Sequence, residues 1–452
     1  MVMKKLIALA MAMVMAFSMC ACTVEKTETT TTAAATQAAT QAATQAAAET
    51  QAAVTEAGPV EISLWTYPVG DWGKQEVVDK LLADFNAKYP NITVKVEYLT
   101  YTDGDDKVNT AIEGNAAPDI VLEGPERLVA NWGAKGKLVA LNDLWTADAK
   151  SDIYASVETA CHDANGNYYE YPLCMTAHCM AINKTVFEET GAWQHVDADT
   201  HTWTTENFLK AVDTLYNAGY ANVGAVFCSA QGGDQGTRAL YNNMYGGAFT
   251  NPEHTEYTMN SAENVKALET LYNTNGINFD ASINGGEEAD LFAQGVLQMA
   301  FCWNAATHAG RTEVIGDSFE VFPMAFPSPN GTDVKLCGGI WGFGVFDNGD
   351  AAKIDAAKTF IKWACDENTL EAVKTSGFWS VRQSVADPYA DNELKSVYGT
   401  FMQYMGDYYN VIPGWTEARA AAWNMLQQIG TGTPVQEAAD AFVATANAAA
   451  GK

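Results

Sequence analysis

Between residues 60 and 123 the apolar positions change period several times. Val60-Glu-Ile-Ser-Leu-Trp65 alternates apolar with polar, which predicts a strand with one buried face. Val77, Val78, Leu81, Leu82, Phe85 and Tyr89 then fall on one side of a 3.6-residue repeat. That helix ends at Tyr89-Pro90, because the residue before proline is driven out of helical geometry. Alternation returns at Ile92, Val94, Val96 and Tyr98, a second amphipathic helix follows around 106–113, and Ala117-Pro-Asp-Ile-Val-Leu-Glu123 is a short apolar strand closed by an acid. Strand, helix, strand, helix, strand implies a parallel sheet with right-handed crossovers.

The same punctuation continues. Asn165-Gly166 marks a turn before strand-like Tyr168–Cys174, and strand pattern persists over 175–183. Thr204 is placed to cap a helix, and helical spacing runs through 262–273. Leu297–Trp303 reads as a buried strand ending in an aromatic, Cys337–Val345 as a Gly-rich strand, and 351–365 as an amphipathic helix. The last quarter is helical around 392–408, 417–429 and 433–449.

The first 58 residues follow different rules. Lys4 and Lys5 precede the apolar stretch Leu6–Met19, the layout of a secretory signal and too short to span a bilayer. It ends in Met19-Cys20-Ala21-Cys22, which resembles the cleavage box of bacterial lipoproteins, with cutting before Cys22 and lipid on its sulfur. Bulky Met19 makes Cys20 the poorer acceptor; the alternative is plain secretion with two incidental cysteines. From Thr23 to Gly58 the chain is mostly Thr, Ala, Gln and Glu, and Thr-Gln-Ala-Ala recurs at 36, 40, 44 and 50. Such a segment buries too little surface to offset its ordering entropy and is expected to be a solvated tether.

Composition narrows the function classes. The 452 residues include 55 acids against 26 Lys and Arg, a formal charge of −29, which excludes nucleic acid as the main partner. No P-loop, Gly-x-Ser-x-Gly elbow or His-Glu-x-x-His is present. Beyond Cys20 and Cys22 seven cysteines remain, at 161, 174, 179, 228, 302, 337 and 365; an odd number leaves one unpaired in a monomer. His178, Cys179 and Cys174 hint at a metal, but on an apolar strand they read as core. The acids at 103, 105 and 106 lack EF-hand spacing and read as a solvated turn.

The order of segments resembles the extracellular solute-binding proteins of ABC importers, in the carbohydrate-binding group that includes maltose-binding protein. EISLWTYP, NAKYPNITVKVEYL, NTAIEGNAAPDIVLEG, NGNYYEYPLCMTAHCMAINKTVFEETG, HTWTTENFLKAVDTL, FAQGVLQMAFCWNAA, KLCGGIWGFGVF, AAKTFIKWACDENT and GFWSVRQSV carry the resemblance, over essentially residues 60–450. It implies an α/β, two-lobed periplasmic-binding-protein-like fold, each lobe a mostly parallel sheet flanked by helices and joined by hinge strands. By analogy residues 1–21 are the signal peptide and 22–58 the anchored tether. The N-terminal lobe is then 59–173 plus 325–376, and the C-terminal lobe 174–324 plus 377–452.

Sugars offer an aliphatic ring face and an equator of hydroxyls, so their sites need flat aromatics beside directed hydrogen-bonding groups. Trp65, Tyr67 and Trp72 flank the first strand-to-helix loop, at the ligand edge of a parallel sheet. Glu123 ends the third strand with two acceptor oxygens, and Trp341 follows Gly338-Gly339, where backbone can be approached closely. The resemblance adds Trp303, which ends the apolar-Met-x-x-x-Trp segment, with Asn304 beside it. It also adds Trp379 and Arg382 from Gly377-Phe-Trp-Ser-Val-Arg382, and Trp415 from the turn Ile412-Pro-Gly-Trp. Trp132, Trp145 and Trp363 read as core.

The implied protein has no catalytic residue, cofactor or metal. It is a monomer anchored through Cys22 on the outer face of the cell membrane, delivering a carbohydrate to membrane permease subunits. The alternatives are an anchored glycoside hydrolase or lyase, which needs two carboxylates about 5–10 Å apart, and a binder of another solute such as a peptide, polyamine or metal chelate.

Overall fold

The computed structural model describes residues 58–452 apart from Thr102, 231–233 and 407–410, so the leader, Cys22 and the tether lie outside the described residues. The strands are β1 (Val60–Thr66), β2 (Ile92–Tyr98), β3 (Ile120–Glu123), β4 (Tyr171–Ala177), β5 (Cys179–Asn183), β6 (Gly224–Phe227), β7 (Ile277–Asp280), β8 (Met299–Trp303), β9 (Val321–Met324), β10 (Gly338–Val345) and β11 (Trp379–Ser380). A six-stranded sheet has the order β11-β4-β10-β3-β1-β2, and a second lobe carries the sheets β8-β5-β9 and β6-β7.

The expected alternation at the start of the chain produces β2-β1-β3, which is parallel throughout, with Val60 opposite Ile92 and Leu64 opposite Ile120. The helix Gln75–Lys88 between β1 and β2 buries Val78, Leu81, Leu82 and Phe85, the stripe read from the sequence. Thr204 caps the helix Thr205–Asn217, its hydroxyl accepting from the Asn207 N–H at 3.1 Å.

Strand direction departs from expectation. β10 is antiparallel to both β3 and β4, β11 is antiparallel to β4, and β5 is antiparallel to β8 and β9. The six-stranded sheet is therefore mixed rather than mostly parallel. The cause is the hinge: β4 leaves the first lobe and β10 returns to it, so the two must run in opposite directions. The first lobe also extends further along the chain than the ends expected at 173 and 376. β4 keeps its ladder to Ala177 and β11 pairs at Trp379–Ser380.

Only His178 separates β4 in one sheet from β5 in the other, and its N–H donates to Cys337 O at 2.9 Å on the return crossing. Gly338 makes this close pass possible, since a Cβ there would lie 1.8 Å from the Thr176 carbonyl oxygen. A further passage follows β11, for Tyr398 accepts the indole N–H of Trp303 in β8 at 2.8 Å.

All seven described cysteines are buried. Cys174 and Cys179, which hinted at a metal with His178, belong to different sheets. Among the described residues no cluster of three metal-ligating side chains occurs, and no helix is long and apolar enough to cross a membrane.

Candidate functional site

At the C-terminal edge of β1 and β3 a charged turn meets a run of aromatics. Pro125–Arg127 opens a helical turn after Glu123, and the Arg127 guanidinium is held by Asp105 at 2.6 Å, Glu123 at 2.9 Å and Glu126 at 3.6 Å. It also lies over two rings, 5.1 Å from the centroid of Tyr67 and 5.7 Å from that of Tyr101. Those rings stack at 5.4 Å, and the Tyr67 hydroxyl donates to Asp105 at 2.5 Å. Tyr101 is 49% exposed, so this stack presents a ring to solvent.

Trp341 continues the surface from β10. Its ring stacks on Phe378 at 4.8 Å. Both Trp341 and Phe378 are half-buried. The Trp341 ring folds over Gly339, where a Cβ would lie 1.8 Å from it. The first lobe thus offers aromatic faces beside an arginine held among three acidic side chains.

The second lobe contributes a charged group beside the hinge. Asp234 is buried and accepts from Arg238, from Arg419 Nε at 2.8 Å and from the Trp423 indole at 3.2 Å. Burial alone would raise its carboxyl, but Arg238 and Arg419 together hold it well below the usual carboxylate range. Arg238 also lies 5.1 Å from the Trp415 ring centroid. Arg419 and Trp423 stay half-buried, one turn apart on the helix Trp415–Gly430.

The expected ligand residues divide. Tyr67 and Trp341 fall within the first-lobe surface, with the Tyr67 ring buried beneath Tyr101. Glu123 belongs to it in another role: it is buried, and its two oxygens are taken by Arg127 and by the Gly124 N–H at 2.6 Å. Burial pushes its carboxyl up to about 8 against the opposing pull of Arg127. It positions the arginine and is covered from solvent rather than open to a sugar. Trp65 is half-buried on β1 under Lys107, whose Nζ is 5.3 Å from the ring.

The others are structural. Trp72 is buried against Phe343 and donates to Ala372 O at 3.1 Å, and Trp303 is buried against Phe292 with its N–H on Tyr398. Their indole N–H groups are satisfied locally, which is the condition for a core tryptophan. Trp379 is buried and donates to Asp387 at 3.2 Å, and Trp415 packs on Phe249. Asn304 caps the helix Ala305–Ala309 by accepting from the Thr307 N–H. Arg382 is buried among Cys365 O, the Tyr171 hydroxyl, Asp366 and Asp152, so its donors are committed inside the first lobe.

Sequence reasoning missed Tyr101, Asp105, Glu126, Arg127, Phe378, Arg419 and Trp423. The acids at 103–106 looked like an ordinary turn, although Asp105 binds both Tyr67 and Arg127. Pro125-Glu-Arg127 directly after a strand end was the available signal, because a loop there projects into the cleft of an α/β lobe. A cavity of about 910 Å³ lies elsewhere, lined by residues of both lobes including His162 and His254 and by none of the ten expected residues.

The family model described as bacterial extracellular solute-binding protein matches residues 71–367. No curated protein matches the chain. Among solved structures, the cyclic alpha-maltosyl-1,6-maltose binding protein from Arthrobacter globiformis is 21% identical with a TM-score of 0.69, covering 87% of this chain and 99% of that one. An ABC substrate-binding protein from Listeria monocytogenes in complex with cycloalternan is 20% identical with a TM-score of 0.64, over 87% and 99%. An ABC transporter solute-binding protein from Agrobacterium radiobacter K84 in complex with ribitol is 23% identical with a TM-score of 0.63, over 86% and 99%. At these identities the structures establish a shared fold.

Proposed function

Because the chain belongs to the bacterial extracellular solute-binding proteins, we propose that it captures an extracellular carbohydrate, an oligosaccharide, and delivers it to an ABC importer. The observation that carries this reading is the first-lobe surface, where exposed Tyr101 and half-buried Trp341 and Phe378 stand beside Arg127 and Glu126. Flat rings take the aliphatic face of a pyranose, and a guanidinium with flanking carboxylates reads its hydroxyls. Arg419 and Trp423 of the second lobe supply a matching ring and donor. The ligands named for the Arthrobacter and Listeria structures are cyclic oligosaccharides, which supports the same class here. A polyamine binder would want an acidic cleft without such platforms.

Function follows from differential affinity. A sugar touching both lobes stabilises the closed arrangement by the contacts it makes only there, and the crossings around His178 and Gly338 act as the hinge. The closed form docks on permease subunits, and ATP is hydrolysed on separate subunits. The protein acts as a binder rather than an enzyme, as a monomer on the outer face of the membrane, held by lipid on Cys22.

Intrinsic tryptophan fluorescence titrated with maltotriose, cellotriose, xylotriose and galactose tests the ligand class. A saturable change is expected with at least one of them, and silence across the panel would sink the carbohydrate reading. Labelling of cells with a palmitate analogue tests the anchor: the wild-type protein takes up label and Cys22→Ser does not.

A further inference from the structure

Away from the candidate site, two histidines from different lobes line one cavity. This cavity, of about 910 Å³, takes His162 and Asp163 from the turn before β4, and His254 from the second-lobe loop between the helices Gln235–Met244 and Ala262–Asn273. Both rings are half-buried. The Nδ1–H of His162 donates to the Asp163 carbonyl oxygen at 2.7 Å, which leaves Nε2 to take a proton, and the ring stands edge-on to Tyr168 at 5.0 Å. His254 is held at φ +51°, a left-handed conformation uncommon outside glycine and asparagine. The loop fixes it there: Asn251 O accepts from the His254 N–H at 3.0 Å, and Asn251 Oδ1 accepts from the N–H groups of Thr255 and Glu256 at 2.8 and 3.1 Å. Such a conformation costs stability and points to a role for the side chain.

The helix Gln235–Met244 connects this cavity to the candidate site. Asp234 of the site precedes its first turn. About 14 Å away, at about 1.5 Å per residue, Asn243 in its last turn holds Lys335 of the cavity wall, donating to its carbonyl and accepting from its N–H at 2.7 Å each. The return crossing runs along the helix, from Lys335 beside Asn243 to Cys337, whose Sγ is 3.5 Å from Gln235 O, and on to Trp341 of the aromatic surface. The crossing thus has the cavity at one end and the candidate site at the other. Rotation about a pivot between two surfaces parts one as it closes the other, so closure on a sugar draws His162 and His254 apart.

The groups around the pair set what protonation does. Burial, and after it the charge of His162, lower His254 from the ordinary histidine value against the pull of neighbouring Glu253. Glu158 and Asp163 face His162. Their carboxyls are held below the usual range despite burial, by Tyr168 and Lys150 and by Asn167 and Asn165 respectively, so neither changes charge in the histidine range. Lys335 from the return crossing and Lys452 from the C-terminal segment add positive charge to the wall.

We propose that His162 and His254 are an acid-sensitive contact between the lobes: uncharged, they let the lobes rest together at the cavity, and charged, they part them there and favour closure of the cleft. The consequence for affinity rests on the carbohydrate reading above. His254 takes its proton more readily in the closed arrangement, where His162 is withdrawn, so protons and sugar favour the same state. The gain is absent well above pH 6.5 and develops as pH falls through that ordinary value.

The test compares wild type with His162→Gln and His254→Asn, the latter chosen because asparagine accepts the left-handed conformation. In ¹⁵N-histidine NMR without sugar, the His254 titration, identified by its absence from His254→Asn, should move to higher pH in His162→Gln. An unmoved titration overturns the proposal. Affinity for whichever of maltotriose, cellotriose, xylotriose and galactose saturates the tryptophan signal should rise about twofold or more from pH 8 to pH 5.5 in the wild type, and distinctly less in either variant. A flat wild-type affinity, or the same pH dependence in all three proteins, overturns the proposal and leaves the carbohydrate reading intact. If none of the four sugars binds, the carbohydrate reading falls and the lobe distance decides. Spin labels on exposed Asp84→Cys and Glu269→Cys, one in each lobe, should then report a separation that changes with pH and no longer does so once His162→Gln is added. A separation independent of pH overturns the proposal there too.

Discussion

Trp341 lies flat on Phe378, with ring centroids 4.8 Å apart and planes 15° from parallel. The stack leaves both rings half-buried where a fully packed pair would be covered, so part of their area remains for another partner. Replacing Trp341 by Ala removes a platform without opening a closed core. Affinity for a bound oligosaccharide should fall by about tenfold or more, ~1.4 kcal/mol, with little change in unfolding midpoint. Isothermal titration of wild type and Trp341→Ala with the sugar found by fluorescence measures it; equal affinities would remove Trp341 from the site.

Trp303 is the opposite case. It is sealed against Phe292 and its N–H is spent on Tyr398, so truncation leaves a cavity and removes one of the two hydrogen bonds of the Tyr398 hydroxyl, the other being to His308 Nδ1 at 2.9 Å. Trp303→Ala should lose about 3–5 kcal/mol in urea unfolding, and Trp303→Phe distinctly less. A variant of unchanged stability and lost sugar affinity would return Trp303 to the binding surface.

These two tryptophans show what the sequence could and could not disclose. Periodicity located β1, β2, β3 and the helix between the first two, because burial of one face leaves a direct mark on residue spacing. The order of segments carried the two-lobed fold. Strand direction was invisible, since whether β10 returns beside β4 depends on the hinge path and not on any local pattern. The site was half legible. An indole's hydrophobicity is the same in a core and on a platform, and what separates Trp303 from Trp341 is a distant partner, Tyr398 or Phe378. Arg127 was overlooked because its role comes from Asp105, 22 residues earlier, and from a glutamate that looked like a ligand contact.

Asp234 and its arginines give a prediction about charge. Arg238 and Asp234 are both buried, and Arg419 closes the group from the half-buried side. Asp234→Asn keeps the shape but removes the buried negative charge that Arg238 and Arg419 share, at a cost of about 3–5 kcal/mol. The sign with pH follows from the depressed carboxyl: its contribution is present above the unfolded value of 3.8 and is lost as pH falls toward the folded one. Urea unfolding of the two proteins between pH 7 and pH 3 should show the wild type losing its advantage on the acid side. Parallel curves would contradict the pairing.

Glu288 should impose the reverse dependence. It is buried in the second lobe, accepting the N–H groups of Phe301 at 2.5 Å and Cys302 at 3.2 Å, and burial pushes its carboxyl up to about 8 from 4.5. Those two backbone donors favour the charged form but do not offset desolvation. Between about pH 4.5 and 8 the folded protein keeps this proton and the unfolded chain does not. Stability is therefore full below the unfolded value and declines as pH rises toward the folded one, by at most ~1.4 kcal/mol per pH unit from this group. Glu123 carries the same sign, so the quantity to compare is the difference between wild type and Glu288→Gln at each pH, in which Glu123 cancels. That difference should move against the wild type from pH 5 to pH 8. A constant difference would mean that Glu288 is ionised in the folded protein throughout, held by its two backbone donors.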